Sequence, residues 1–154
     1  MTASPSPDPG SAFDAAALPR RLVFFDGVCG FCDRSVSWLL AHDPDGRLRF
    51  APLQGETAAQ LRSRYPEEFP EGLETMVLAE AEDGRTCFFL RSQASFRILG
   101  SLPGPVRHVA LLRWLPRPLM DAAYRAFARI RYRVFGRLDQ CRVPGARVRE
   151  RFLP

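Results

Sequence analysis

The stretch Leu22-Val23-Phe24-Phe25-Asp26-Gly27-Val28-Cys29-Gly30-Phe31-Cys32 decides how the rest of the 154-residue chain is read. Four apolar residues in a row, without alternation, predict a strand buried on both faces, and Asp26-Gly27 closes it with a turn. From Ser35 the pattern changes. Val36, Leu39 and Leu40 recur at helical spacing until Asp43-Pro44-Asp45-Gly46 ends the run. Cys29 and Cys32 therefore fall where a strand hands over to a helix start. Unpaired amide N–H groups and the helix dipole favour an anion there, which predicts a Cys29 that is partly thiolate at neutral pH and lies nearer the solvent than Cys32. Cys32, one turn on, can reach the same sulfur. Such a pair suits exchange, in which the outer thiolate attacks a disulfide and the inner thiol resolves the mixed disulfide. Two other uses stay open, a pair of unreactive core cysteines or half of a zinc site. Zinc needs about four ligands, and Cys87, Cys141, His42 and His108 form no second close pair.

Asp26, three residues before Cys29, has two readings. Buried beside the pair, it could exchange a proton with Cys32 as a general acid/base. Equally, its carboxylate could bond the backbone N–H groups of its own turn. Downstream, Leu48 to Ala51 predicts a second strand, which makes a βαβ unit with parallel strands. Thr57 to Arg64 predicts a polar helix. Met76 to Ala79 and Cys87 to Leu90 flank Asp83-Gly84 as a hairpin, and Ser92 is positioned to cap a helix that stops at Gly100. The order β-α-β-α-β-β-α is an α/β layout, that of the thioredoxin-like fold. The expected organisation is a disordered tail over 1–19, that domain over 20–101 and an Arg-rich helical extension over 102–154 packed on it. The extension reads as Val106 to Leu115 and Leu119 to Phe135. In the second helix Met120, Ala123, Phe127, Ile130 and Val134 form an apolar stripe, and Arg125, Arg129 and Arg133 a separate charged row.

Charge is unevenly spread. Residues 1–106 hold 10 Arg against 14 acids, and residues 107–154 hold 12 Arg against 3 acids, so the basic character belongs to the C-terminal third. Clustered cations invite nucleic acid, but neither interleaved aromatics nor a reader motif accompanies them. Regularly spaced arginines on an amphipathic helix read first as a solvated face; a weak contact with an acidic partner or an anionic membrane surface, or steering of an acidic substrate protein toward Cys29, stays open. Arg113, Pro116 and Arg117 interrupt the most apolar region, which excludes a membrane-spanning helix. The region before Arg20 lacks the basic start and apolar core of an export signal, so a cytoplasmic location is expected. Cys87 reads as a small buried hydrophobe. Cys141 reads as a structural or solvent-facing thiol, or as a third redox cysteine if its segment folds back to the pair. His42 reads as a complement to the first helix's dipole and His108 as a surface or half-buried residue.

Asp26-Gly27-Val28-Cys29-Gly30-Phe31-Cys32 closely resembles the D-G-x-C-x-x-C signature of the DCC family of thiol-disulfide oxidoreductases, small proteins grouped with the thioredoxin-like fold. The likeness continues through Phe50-Ala51-Pro52-Leu53-Gln54, Arg91-Ser92-Gln93-Ala94, Leu115-Pro116-Arg117-Pro118-Leu119 and Arg131-Tyr132-Arg133-Val134-Phe135-Gly136-Arg137. It covers about residues 20 to 153. Where family members often carry Asn and Trp around the Arg-Tyr-Arg-x-Phe-Gly segment, this chain has Ile130 and Val134. The resemblance supports dithiol–disulfide exchange through Cys29 and Cys32 and leaves the partner open. Together with the residues it makes the expected activity exchange with a disulfide-bearing protein or small-thiol partner, with Asp26 as the proton carrier and no metal or organic cofactor. Ordinary thioredoxins place a cis-proline opposite the pair, whereas the matching position here reads Leu73-Glu74-Thr75-Met76, so a trans peptide with Thr75 facing the site is expected.

Overall fold

A computed structural model describes residues 18–72, 76–82, 85–139 and 145–154. Four strands, β1 (Arg21–Phe25), β2 (Arg49–Pro52), β3 (Val77–Glu82) and β4 (Arg85–Leu90), form one sheet in the order β2-β1-β3-β4. β1 and β2 are parallel, and β3 is antiparallel to both β1 and β4. The helices are α1 (Gly30–His42), α2 (Glu56–Arg64), α3 (Arg91–Ser101), a 3-10 helix over Pro105–Trp114, α4 (Arg117–Phe135) and a single turn, α5 (Ala146–Arg149). This mixed α/β sheet is thioredoxin-like.

The apolar run in β1 lacks alternation because both faces of the sheet are covered. Val23 and Phe25 pack with Val36 and Leu39 of α1 and Ala94 and Ile98 of α3. Leu22 and Phe24 pack on the other face with Ala58 and Leu61 of α2 and with Phe69. Burying these side chains stabilises the fold by roughly 1.5–3 kcal/mol each before entropy is counted. α4 lies against α1 and α3. The chain's last residues close the sheet edge beyond β2. Phe50 N–H donates to the Arg151 carbonyl and Leu153 N–H to the Phe50 carbonyl, each at 2.8 Å. Arg151 forms an ion pair with the buried Asp43. Edge backbone groups that would otherwise be unpaired are thereby satisfied.

Three local expectations need correction. Ser92 is not the cap of α3: that place belongs to Leu90, and Ser92, inside the first turn, donates instead to Asp121 Oδ1 of α4 at 2.8 Å. Cys87 is exposed, because β4 is the outermost strand and Cys87 pairs across from the polar Glu80. Pro105–Trp114 is helical as expected and winds as a 3-10 helix. On α4, Ile130 and Val134 are exposed, and the inward residues are Met120, Tyr124, Phe127, Arg131 and Phe135, about one residue out of phase with the expected stripe. Arg125, Arg129 and Arg133 do face solvent. His42 ends α1, stacks on Trp38 and has Nδ1 2.8 Å from the Trp38 carbonyl; His108 is exposed. The Asp83-Gly84 turn, Thr75, Cys141 and most of the N-terminal tail lie outside the described residues.

Candidate functional site

The handover from β1 to α1 is built by Asp26. Its carbonyl accepts from Cys29 N–H at 3.2 Å, and its Oδ1 accepts from Val28 N–H at 3.1 Å. Gln54, just past β2, braces the same turn from the neighbouring strand: Nε2 donates to Asp26 Oδ1 at 2.8 Å, and Oε1 accepts from Gly27 N–H at 3.0 Å. The turn-forming reading of Asp26 is therefore realised. Cys29 becomes the N-cap of α1, where its sulfur accepts from Cys32 N–H at 3.4 Å. The sulfur thereby satisfies one of the amides that a helix start leaves unpaired.

Both cysteines are buried, Cys29 at 0% and Cys32 at 3% exposure. The expectation that Cys29 lies nearer the solvent is thus not met, and the reason is the segment after α4. That segment runs across the pair like a strap: Gly30 N–H donates to the Gly136 carbonyl at 3.3 Å and Leu138 N–H to the Val28 carbonyl at 2.8 Å, with Cys29 and Arg137 bridged as antiparallel partners. Phe31 anchors it through edge contacts with Phe127 and a tilted contact with Phe135. Gly30 is required here, since a Cβ would lie 2.5 Å from the Phe135 carbonyl oxygen. Gly136 makes the bend in the left-handed region, with φ at 75°.

α4 also brings a cation to the pair. Arg131, 3% exposed, donates from Nη1 to Cys32 Sγ at 3.7 Å and from Nη2 to Asp26 Oδ2 at 3.3 Å. Tyr132 donates its hydroxyl to the same Oδ2 and accepts from Arg131. The buried Asp26 carboxylate thus receives four donors, from Val28, Gln54, Arg131 and Tyr132. Burial pushes the Cys32 thiol up to about 12, reinforced by its hydrogen bond to Cys29 and by the charge on that sulfur; Arg131 and a bond from the Asp26 backbone oppose the rise. Burial and the bond to Asp26 likewise push the Tyr132 hydroxyl up to about 12.

Of the three residues expected from the sequence, Cys29, Cys32 and Asp26, the fold brings all together. Arg131, Tyr132 and Gln54 were missed. Arg131 carried a signal: it stands four residues after Phe127 and four before Phe135, on the inward row of α4, where a charge needs a buried partner. Among the described residues no group of three His, Cys, Asp or Glu side chains is arranged to hold a metal ion, and no helix is long and apolar enough to cross a membrane.

Comparison with known proteins agrees with this geometry. The chain is 34% identical over 139 residues to the uncharacterized protein YuxK of Bacillus subtilis, covering 89% of this chain and 96% of that one. It is 31% identical over 123 residues to a chloroplastic DCC family protein of Arabidopsis thaliana, covering 79% of this chain and 69% of the relative. No solved structure matches. The profile of the DCC1-like thiol-disulfide oxidoreductases matches residues 23–137, a span running from β1 through the cysteine pair to the strap, and the chain belongs to that family.

Proposed function

We propose that this protein exchanges dithiols with disulfides through Cys29 and Cys32, on a disulfide-bearing protein or a small disulfide, and that it does so catalytically. The observation that carries the reading is the asymmetry of the pair. Cys29 caps a helix, whereas Cys32 holds its proton up to about 12 and stands against a buried guanidinium. In the reduced state Cys29 is the nucleophile. Its thiolate attacks one sulfur of the substrate disulfide, the S–S bond breaks, and the other substrate sulfur leaves as a thiolate. Once Cys29 is in the mixed disulfide, its negative charge and its hydrogen bond to Cys32 are gone, and with them two of the three causes that hold the Cys32 proton. Arg131 and the Asp26 amide remain. Cys32 then loses its proton to the departing thiolate and attacks Cys29 Sγ, which releases the second substrate thiolate. Two electrons pass to the substrate, and a Cys29–Cys32 disulfide stays behind for an external dithiol to reduce.

In this reading Asp26 is a positioning residue. It holds Arg131 beside Cys32 and shapes the turn that makes Cys29 a cap. Carrying the Cys32 proton itself would require one of its four donors to swing away.

Catalysed reduction of a disulfide-containing protein by a small dithiol tests the function. The full chain should accelerate it, Cys29→Ser should abolish the acceleration, and Cys32→Ser should accumulate a mixed disulfide on Cys29. A pair that oxidises and reduces without accelerating any exchange would instead mark a redox sensor. Zinc in freshly purified protein that is lost with Cys32→Ser would mark a metal site.

A further inference from the structure

The most unusual surface of the protein lies away from the cysteines, on the 3-10 helix Pro105–Trp114 and the start of α4. With three residues per turn, His108, Leu111 and Trp114 fall in one row and Val109 and Leu112 in the next. All of them face outward, Leu111 at 61% and Trp114 at 78% exposure, and Leu119 continues the apolar surface onto α4. Val106 and Ala110 are the residues turned inward, Val106 against the core and Ala110 close to Gly100. Such an exposed apolar ridge is uncommon on a protein that keeps to water. The charge along this helix and α4 is equally biased: Arg107, Arg117, Arg125, Arg129, Arg133 and Arg137 are exposed, and the single acid of residues 105–137, Asp121, is bonded to Ser92.

We infer that this ridge docks on an anionic lipid surface, with Leu111, Leu112 and Trp114 entering the headgroup boundary and the surrounding arginines meeting lipid phosphates. Two features of the surface select this occupant. A second copy of the chain would bring the same exposed arginines against the first set, and like charges in apposition oppose association. Leucine and tryptophan beside arginine is the combination that an interfacial segment uses, because the apolar groups bury in the acyl boundary while the guanidinium groups stay at the charged layer. The chain has no membrane-spanning helix among its described residues, so attachment would be peripheral and reversible.

Vesicles of phosphatidylcholine alone, and of phosphatidylcholine with phosphatidylglycerol, test this with the full chain. The protein has two tryptophans, so Trp38→Phe leaves Trp114 as the sole reporter. Co-sedimentation with the anionic vesicles only, together with a blue shift of Trp114 emission, is expected. Replacing Leu111 and Leu112 with serine should weaken binding at least tenfold while disulfide exchange in solution is unchanged. Three results would each overturn the inference: no binding to anionic vesicles, binding without a shift of Trp114 emission that salt abolishes completely, or a dimer in solution that the serine substitutions dissociate. Capture of an acidic protein through the same residues, with vesicles ignored, would assign the ridge to a protein partner instead.

Discussion

Arg131 should set the pace of the step in which Cys32 resolves the mixed disulfide. Its Nη1 is 3.7 Å from Cys32 Sγ; at an effective dielectric constant of about 20, a full charge at that distance favours a thiolate by about 4 kcal/mol, or about three pK units. Asp26, 3.3 Å from the same guanidinium, offsets part of that field, so the net effect is about one to two units. Arg131→Met alone strands a buried carboxylate and should cost about 3–5 kcal/mol of stability. The informative comparison is therefore Asp26→Asn, in which the buried guanidinium loses its carboxylate but keeps Cys32 and Tyr132 as partners, against Asp26→Asn/Arg131→Met, in which neither charge remains; urea midpoints establish first that both variants are folded. The assay loads Cys29 with a chromogenic aromatic thiol and follows its release by Cys32 in a single turnover across pH. Thiolate population falls tenfold per pK unit while nucleophilicity recovers about half of that, so the double variant should release the thiol about three- to tenfold more slowly at neutral pH, with its inflection about one to two units higher. Asp26→Asn alone, with the guanidinium unopposed, should move the inflection down. Identical profiles for the two variants would refute the role of Arg131. A slower Asp26→Asn that has lost an ionisation would return the proton-carrying role to Asp26.

The remaining expectations concern the buried thiols and the strap. Cys32 is raised from its ordinary 9.0 to about 12 in the reduced protein. The folded state keeps a proton that the unfolded chain releases, so stability is complete below about pH 9 and declines as pH rises toward about 12; urea midpoints over that range should fall for the reduced protein and fall less for Cys32→Ala. Gly30→Ala puts a methyl against the Phe135 carbonyl and should cost about 1–3 kcal/mol. If the strap alone covers Cys29, the same variant should also alkylate faster at Cys29, and an unchanged rate would show that the strap is not the cover. In the intact protein Cys29 should alkylate before Cys32, since Cys32 retains its proton at neutral pH; mass mapping of the first adduct checks this, and a first adduct on Cys32 would reverse the assignment.

Much of this molecule was legible in the local pattern. The run Leu22 to Phe25 without alternation announced a strand covered on both faces, and Asp26-Gly27 its end. Helical spacing from Val36 placed Cys29 and Cys32 at a helix start, and with them the chemistry. These are short-range properties, set by backbone geometry and by the period at which side chains repeat. The errors arose where a neighbour distant in sequence decided the outcome. Ser92 had the chemistry of a cap, but Asp121 of α4 offered its hydroxyl a partner. Cys87 looked buried by type and is exposed on β4, the edge strand of the sheet among the described residues.

Arg131 is the sharpest case. Its charge kept it off the expected apolar stripe of α4, yet a guanidinium can be buried when a carboxylate and a sulfur wait for it. Those partners, Asp26 and Cys32, lie 105 and 99 residues away. The C-x-x-C pair and its place at a helix start were determined by the sequence alone, because they follow from residues within one turn of each other. The cation beside the inner sulfur, the strap over the outer one and the burial of both were decided only by tertiary structure, because each depends on where α4 docks, and docking is a sum of contacts between segments that no local spacing records.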